Sequence, residues 1–279
     1  MPIIETLSSP YRSRERILAF GHEGCGKSSG VLSIARRCPD VKFWVIDNDN
    51  SYDRLLETDF TDVWGMDNVL FAGEHFGKAP MNDWFNVAQA IEYATNNMGR
   101  DDWLVVDMLS KAWALVQEAF TEQIFGKDID DYFLHIRKMK ADSGDNKKAL
   151  GAYDGWKDWP VINAMYSKGV SEKLLNCPGH LYVVSESTKL SEDDDKGMRD
   201  LYGPFGVKPA GQKRSGHIMQ TVMFFTKDSR QQMYKMTTVK DRGRAMWTDE
   251  SFDDFAMDYL VGTAGWEVKK SFIKAEGGE

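Results

Sequence analysis

Short unbroken apolar runs and longer stretches of helical spacing take turns along this chain. Residues 16–20 (RILAF) form an apolar run that stops at Gly21 and predicts a buried strand entering a turn. Residues 27–37 then carry apolar positions at Val31, Leu32 and Ala35, the spacing of a helix, and Pro39 lies just beyond its end. Two further runs, 42–46 (KFWVI) and 103–106 (WLVV), predict strands that run into Asp47 and Asp107; Val69–Ala72 predicts another. Helical periodicity returns over 82–98, ahead of Gly99, and again through Trp113, Val116 and Phe120. Residues 160–176 read as helix and 181–185 (LYVVS) as strand. Residues 218–226 and 231–239 alternate in polarity around a four-residue polar break, a hairpin signal, and 251–261 reads as helix.

Strands alternating with helices predict an α/β fold: a mainly parallel sheet flanked by helices, extended by a terminal antiparallel hairpin. The 279 residues suit one such domain spanning 1–279. Two polar stretches, 138–159 and 187–216, read as loop insertions, and 265–279 as a C-terminal tail frayed at its AEGGE end.

Composition narrows the function classes. The formal net charge of −8 removes a basic footprint for nucleic acid over the molecule as a whole but leaves room for a local patch. Three cysteines without a CxxC pair, and five scattered histidines, give no zinc spacing and fit a reduced, cytoplasmic setting. No apolar stretch is long enough to cross a bilayer.

The specific chemistry lies at residues 21–28, GHEGCGKS, which match G-x-x-x-x-G-K-[ST] between a predicted strand and a predicted helix. Gly21, Gly24 and Gly26 let the backbone curl through His22, Glu23 and Cys25 so that its N–H groups, with Ser29 in the first helical turn, face a phosphate. Lys27 has the reach for the β- and γ-phosphates of ATP, and the Ser28 hydroxyl suits Mg²⁺. An acid at the carboxyl end of a buried strand would complete the metal shell, and Asp107 stands at such a place. Asp also caps helices there, but the phosphate loop favours the metal role.

Other segments carry a family resemblance. IDNDNSYD (46–53), VVDMLSKAW (105–113), HLYVVSES (180–187) and TTVKDRGR (237–244) follow one another as do the core motifs of RecA-like ATPases. The overall likeness is to small phage RecA-like ATPases of single-strand annealing and recombination. It covers roughly residues 14–250 in motif order, and only the phosphate loop is individually specific. The resemblance implies that Asp49, among Asp47, Asp49 and Asp53, polarises the attacking water, although the family has the longer Glu there. It implies a γ-phosphate sensor near Ser185 and Glu186, although the usual amide is missing. It implies single-stranded DNA at the two polar stretches, where Lys138, Lys140, Lys147, Lys148 and Lys157 accompany Tyr153, Trp156 and Trp159, and Lys196, Arg199, Lys208, Lys213 and Arg214 accompany Tyr202 and Phe205. The acids Glu192–Asp195 oppose that reading unless they point away. It also implies a homo-oligomer in which a cation, from Lys213 and Arg214 or from Lys240 and Arg242, reaches a neighbour's ATP.

Two readings follow: a DNA-dependent ATPase of phage recombination or replication, and a nucleotide-gated assembly module with weak hydrolysis and no DNA contact. A helicase or packaging motor fits the short chain less well. A small-molecule kinase fits the motif order after Asp107 less well, and a GTPase lacks the Asn-Lys-x-Asp sequence.

Overall fold

A computed structural model describes residues 3–10, 13–73, 79–143, 157–228, 230 and 233–272. The chain enters through β1 (Ile3–Ser8) and β2 (Arg16–Gly21), turns through the phosphate loop, and continues into α1 (Lys27–Arg37) and β3 (Phe43–Asp47). Two short helices, α2 (Tyr52–Thr58) and α3 (Thr61–Trp64), lead to β4 (Val69–Phe71) and then α4 (Pro80–Asn97). After β5 (Trp103–Asp107) come α5 (Leu109–Phe125), α6 (Ile129–Ser143), α7 (Asp158–Tyr166) and α8 (Glu172–Leu175). β6 (His180–Lys189), α9 (Lys196–Tyr202), β7 (Val207–Pro209) and α10 (Ser215–Ile218) follow; β8 (Thr221–Asp228), β9 (Met233–Asp241), β10 (Glu250–Phe252) and β11 (Glu267–Phe272) end the described chain.

The main sheet has the order β10-β9-β8-β2-β6-β5-β3-β4, with β7 joined to β6. Strands β8, β2, β6, β5, β3 and β4 are parallel, and β9 returns antiparallel along β8. The expected α/β class and terminal hairpin are therefore the observed ones. The parallel strands read as unbroken apolar runs because helices cover both faces. Successive side chains point to opposite faces. Leu18, Phe20, Leu104, Val106, Leu181 and Val183 pack with α4 and α5, whereas Ile17, Ala19, Val45, Val105, Tyr182 and Val184 pack with α1.

Several expectations need correction. Residues 187–216 are not a plain loop: β6 continues past the sheet edge to Lys189, α9 interrupts the polar run, and β7 returns along β6 with Ser187 opposite Pro209. A strand that leaves the core has no apolar neighbours, so it loses its apolar signature. Residues 138–143 belong to α6 and 158–159 to α7; Lys147, Lys148, Tyr153 and Trp156 lie outside the described residues. The tail from 265 contains β11, which pairs antiparallel with β1 from Ser8↔Glu267 to Ile3↔Phe272. The stretch 251–261 divides into the end of β10 and a π-helical turn over Ala256–Val261.

A charged tie joins distant parts of the chain below the sheet. Glu15, whose side chain is 3% exposed, accepts two hydrogen bonds from the Arg244 guanidinium, at 2.7 and 2.8 Å, and one from Trp266 Nε1 at 3.1 Å. A bidentate pair with an extra donor satisfies the buried carboxylate oxygens, and losing one partner leaves them without their counter-charge. Arg244→Ala should lower unfolding free energy by about 3 kcal/mol, measured by urea titration. A loss below about 1 kcal/mol would mean that water reaches Glu15.

Candidate nucleotide site

The phosphate loop sits at the carboxyl edge of the sheet. Gly21 ends β2 with no room for a side chain, since a Cβ there would stand 2.2 Å from the Phe225 carbonyl oxygen. Gly26 precedes α1 at φ +89, a left-handed conformation, and a Cβ there would meet the Tyr234 ring at 2.9 Å. Both conditions select glycine. No side chain caps the first turn of α1, and no acid lies within it, so its N–H groups remain directed at the loop. Those donors and the helix dipole favour a phosphate.

The site residues read from sequence meet here in large part. Lys27 is buried, and its ammonium donates to the carbonyls of Gly21 at 3.2 Å and His22 at 2.7 Å, beside Cys25 Sγ at 3.5 Å. Ser28 Oγ donates to Asp107 Oδ2 at 2.7 Å. Ser29 is half-buried in the first turn of α1. His22, Glu23 and Gly24 form the exposed crest of the loop, where His22 Nδ1 lies 3.1 Å from Ser187 Oγ of β6. Cys25 is buried beneath it.

Asp107 is buried at the end of β5, level with Asp47 at the end of β3. Burial first, and the Asp49 charge second, push its carboxyl up to about 7, against the lowering effect of the Ser28 hydrogen bond. Asp49 is likewise pushed up, by burial and then by Asp47. Asp49 Oδ1 is buried with no hydrogen-bond partner among the described residues. Crowded, partly unsatisfied carboxylates beside a phosphate loop are the donor set a divalent cation neutralises. Mg²⁺ takes only one or two protein ligands and completes its shell with water and phosphate. The residues fit it: Ser28 and Asp107 would hold the ion, and Asp49 would face its waters.

Three supporting residues lie inside the motif segments, which assign them no role. Asn48 is buried between strands, accepts from Met108 N at 2.5 Å and donates to the Met108 carbonyl at 3.0 Å, so it clamps the turn that aims Asp107. Asp47 accepts from Ser51 N and Tyr52 N at 3.0 and 3.1 Å and starts α2. Tyr182 donates to the Lys27 carbonyl at 3.1 Å, bracing α1 from below. Only the Asp-Asn turn chemistry of 47–51 could have pointed to any of them.

Glu186 ends the part of β6 beside the loop, in register with Gly21, and accepts from Ser110 Oγ at 3.3 Å. Ser185 faces the other way and donates to the Ala210 carbonyl at 2.9 Å.

Lys213 and Arg214 are exposed on the rim of an open cavity of about 960 Å³, floored by Trp113, Trp159 and Tyr166. Trp113 stacks on Trp159 with centroids 6.2 Å apart and meets Tyr166 edge-on at 5.1 Å. Lys240 and Arg242 lie at the end of β9 that adjoins Thr221, the start of β8, on the edge away from the phosphate loop. Lys240 donates to the carbonyls of Gly216 at 3.0 Å and Met219 at 2.5 Å, while Arg242 is exposed. Within the acidic run, Asp194 is buried against Lys208, and Asp195 caps α9 by accepting from Met198 N at 2.9 Å. That pairing engages Lys208 as well.

No family model matches the chain, and no curated protein matches it in sequence. Among solved structures it is similar to the RadB recombinase, with 11% identity, 83% of each chain covered and a TM-score of 0.48. It is also similar to the ATP synthase subunit NeqB from Nanoarcheaum equitans, with 13% identity, 78% of this chain and 49% of that chain covered, and a TM-score of 0.43. An ATPase from the type III secretion system of pathogenic bacteria gives 13% identity, coverage of 78% and 52%, and a TM-score of 0.38. The chain spans about half the length of the last two.

The raised Asp107 carboxyl sets a pH dependence. Its folded value of about 7 exceeds the ordinary 3.8, so the folded state binds this proton more tightly than the unfolded chain does. Stability from this group is present below pH ~4 and is lost as pH rises through about 7. In EDTA, Asp107→Asn should therefore stabilise the protein more at pH 8 than at pH 5, the difference being about 1–2 kcal/mol. Equal effects at the two pH values in urea titrations would contradict the buried-acid account.

Proposed function

We propose that this protein is a RecA-like ATPase that binds ATP with Mg²⁺ at residues 21–29 and hydrolyses it. The observation that carries the reading is the 2.7 Å hydrogen bond from Ser28 to Asp107, which brings the hydroxyl of the phosphate-loop motif onto a strand-end carboxylate. A chance glycine turn has no reason to meet such a partner.

The chain's own groups divide the work. The loop N–H groups and the start of α1 bind phosphate oxygens. Lys27, now held by two loop carbonyls, moves its charge to the β- and γ-phosphates. Bound Mg²⁺ would supply charge neutralisation between those phosphates. Asp107, fixed by Asn48, orients Ser28, and Asp49 and Glu186 flank the loop as the acids available to a water.

Single-stranded DNA is the proposed effector. The cavity offers the half-buried rings of Trp113 and Trp159 to unstacked bases, with Lys213 and Arg214 for the backbone. The partial neutralisation of the acidic run by Lys208 and by the α9 cap removes part of the repulsion expected there. With the motif resemblance, this supports a role in phage recombination or replication, in the host cytoplasm. Among the described residues no helix is long and apolar enough to cross a membrane. The protein would act as a homo-oligomer, with Lys213 and Arg214 or Arg242 offering a cation to the neighbouring site. Lys240 is the weaker candidate because two carbonyls of its own chain hold its ammonium.

Lys27→Ala should reduce Mg²⁺-dependent ATP hydrolysis by at least about 100-fold. Hydrolysis of wild-type protein should rise on adding single-stranded DNA; ATP binding with flat, negligible turnover would favour the nucleotide-gated assembly module instead. A Lys213→Ala/Arg214→Ala double variant should lower the slope of log affinity against log salt by about 1.4 for single strands. An unchanged slope would remove these two residues from the DNA surface.

A further inference from the structure

We infer that Glu186 holds and deprotonates the attacking water, and that Asp49 belongs to the metal-facing acids with Asp107. This deepens the nucleotide-hydrolysis reading and rests on it.

Strand alternation carries the argument. Val184 and Tyr182 pack on the α1 side of the sheet, and Ser185 is turned the other way toward Ala210. Period 2 then gives Glu186 the same face as α1. On β5 the α1 side holds Val105 and, two residues on, Asp107; on β3 it holds Val45 and Asp47. Three neighbouring strands thus carry an acid at this register near their carboxyl ends, Asp107 bonded to Ser28 and Glu186 to Ser110 at the start of α5.

Their heights differ, and the difference sorts their work. Val106 pairs with Val183, so Asp107 lies beside Val184, and Glu186 stands two residues further along the strand direction. At about 3.3 Å per residue that is about 7 Å beyond Asp107. Glu186 is level with Gly21, the first residue of the loop, whereas Asp107 lies low enough to bond Ser28. A metal-facing acid must reach the loop hydroxyl. A base must stand beyond it, on the side from which water reaches the terminal phosphate.

Environment agrees with height. Glu186 is exposed at the mouth of the loop and held by Ser110 Oγ, and Ser110 lies three residues after Asp107. The β6 strand carrying it is tied to the crest of the loop by the Ser187–His22 contact. Asp49 lies in the opposite situation: its Oδ1 is buried with no hydrogen-bond partner among the described residues, on the turn that also carries Asp47 and the Asn48 clamp. The shorter Asp49 is displaced from the base role that the RecA-like motif order gives its position, and the longer Glu186 on β6 takes it.

In the step itself, water oxygen bonds to the γ-phosphorus as the bond from that phosphorus to the β–γ bridging oxygen breaks. The electron pair leaves with ADP. The water's proton passes to the Glu186 carboxylate and then to solvent, giving ADP, inorganic phosphate and a proton.

The test compares full-length wild type, Lys27→Ala, Glu186→Gln, Glu186→Ala and Asp49→Asn, measuring ATP affinity, steady-state turnover and its Mg²⁺ dependence. Wild type without turnover above Lys27→Ala overturns the hydrolysis reading, and this inference with it. Given turnover, Glu186→Gln should lose on the order of 100-fold in rate with ATP affinity unchanged within about threefold. Formate should restore part of the rate to Glu186→Ala, an effect no structural role produces. Asp49→Asn should keep measurable turnover and require more Mg²⁺. Glu186→Gln turning over within fivefold of wild type, or Asp49→Asn losing turnover at unchanged Mg²⁺ dependence, overturns the assignment and gives the water to Asp49.

Discussion

A buried carboxylate needs donors or a cation, and Asp107 accepts from Ser28 Oγ at 2.7 Å, with the buried Tyr52 hydroxyl beside it. Much of the site follows from that constraint. Ser28 lies at the start of α1, so the bond fixes where the helix begins relative to β5, although β6 separates β5 from β2. Tyr182 on that intervening strand braces the same helix through the Lys27 carbonyl, and Gly30 leaves room for its hydroxyl, which a Cβ would approach to 2.8 Å. Asn48 fixes the far side by gripping Met108. Burying such a carboxylate without a counter-charge is costly, which is why the cluster suits a cation in the proposed site.

The same sheet edge separates two kinds of surface. The α1 face carries the acids and the phosphate loop, and the α5 face carries the Trp113, Trp159 and Tyr166 cavity. β6 serves both, because alternation sends Glu186 to one face while the peptide at 185–186 meets Ala210, next to the cavity's Gly211. Ala210 N donates to the Glu186 carbonyl at 2.8 Å, and Ser185 Oγ donates to the Ala210 carbonyl at 2.9 Å. A change in where Glu186 sits is therefore mechanically close to the cationic rim at Lys213.

Sequence reading went furthest where the signal is local. The phosphate loop fits within eight consecutive residues, and the apolar runs of β2, β3, β5 and β6 are buried on both faces, so strand–loop–helix order was legible. Reading failed where pairing is remote or exposed. The β1–β11 ladder joins Ile3 to Phe272, and nothing near either strand announces the other. The 187–216 stretch looks like a loop because β6 and β7 are polar once they leave the core, and their backbone hydrogen bonds have no composition signature. Asn48, through two hydrogen bonds to Met108, and Tyr182, through one to the Lys27 carbonyl, act on backbone groups, which spacing rules do not encode. The two cation pairs looked interchangeable in sequence, yet Lys213 and Arg214 are exposed on the cavity rim while Lys240 is held by the carbonyls of Gly216 and Met219.

The β1–β11 ribbon has a mechanical consequence. Because the strands are antiparallel and Ile3 faces Phe272, the outer ends of the ribbon lie side by side. Tension applied to those two ends would open the ribbon like a zipper, one residue pair after another. The load would reach the Glu15–Arg244–Trp266 tie only after the last pair, Ser8 with Glu267, had parted. The ribbon thus behaves as a fuse in series with the main sheet.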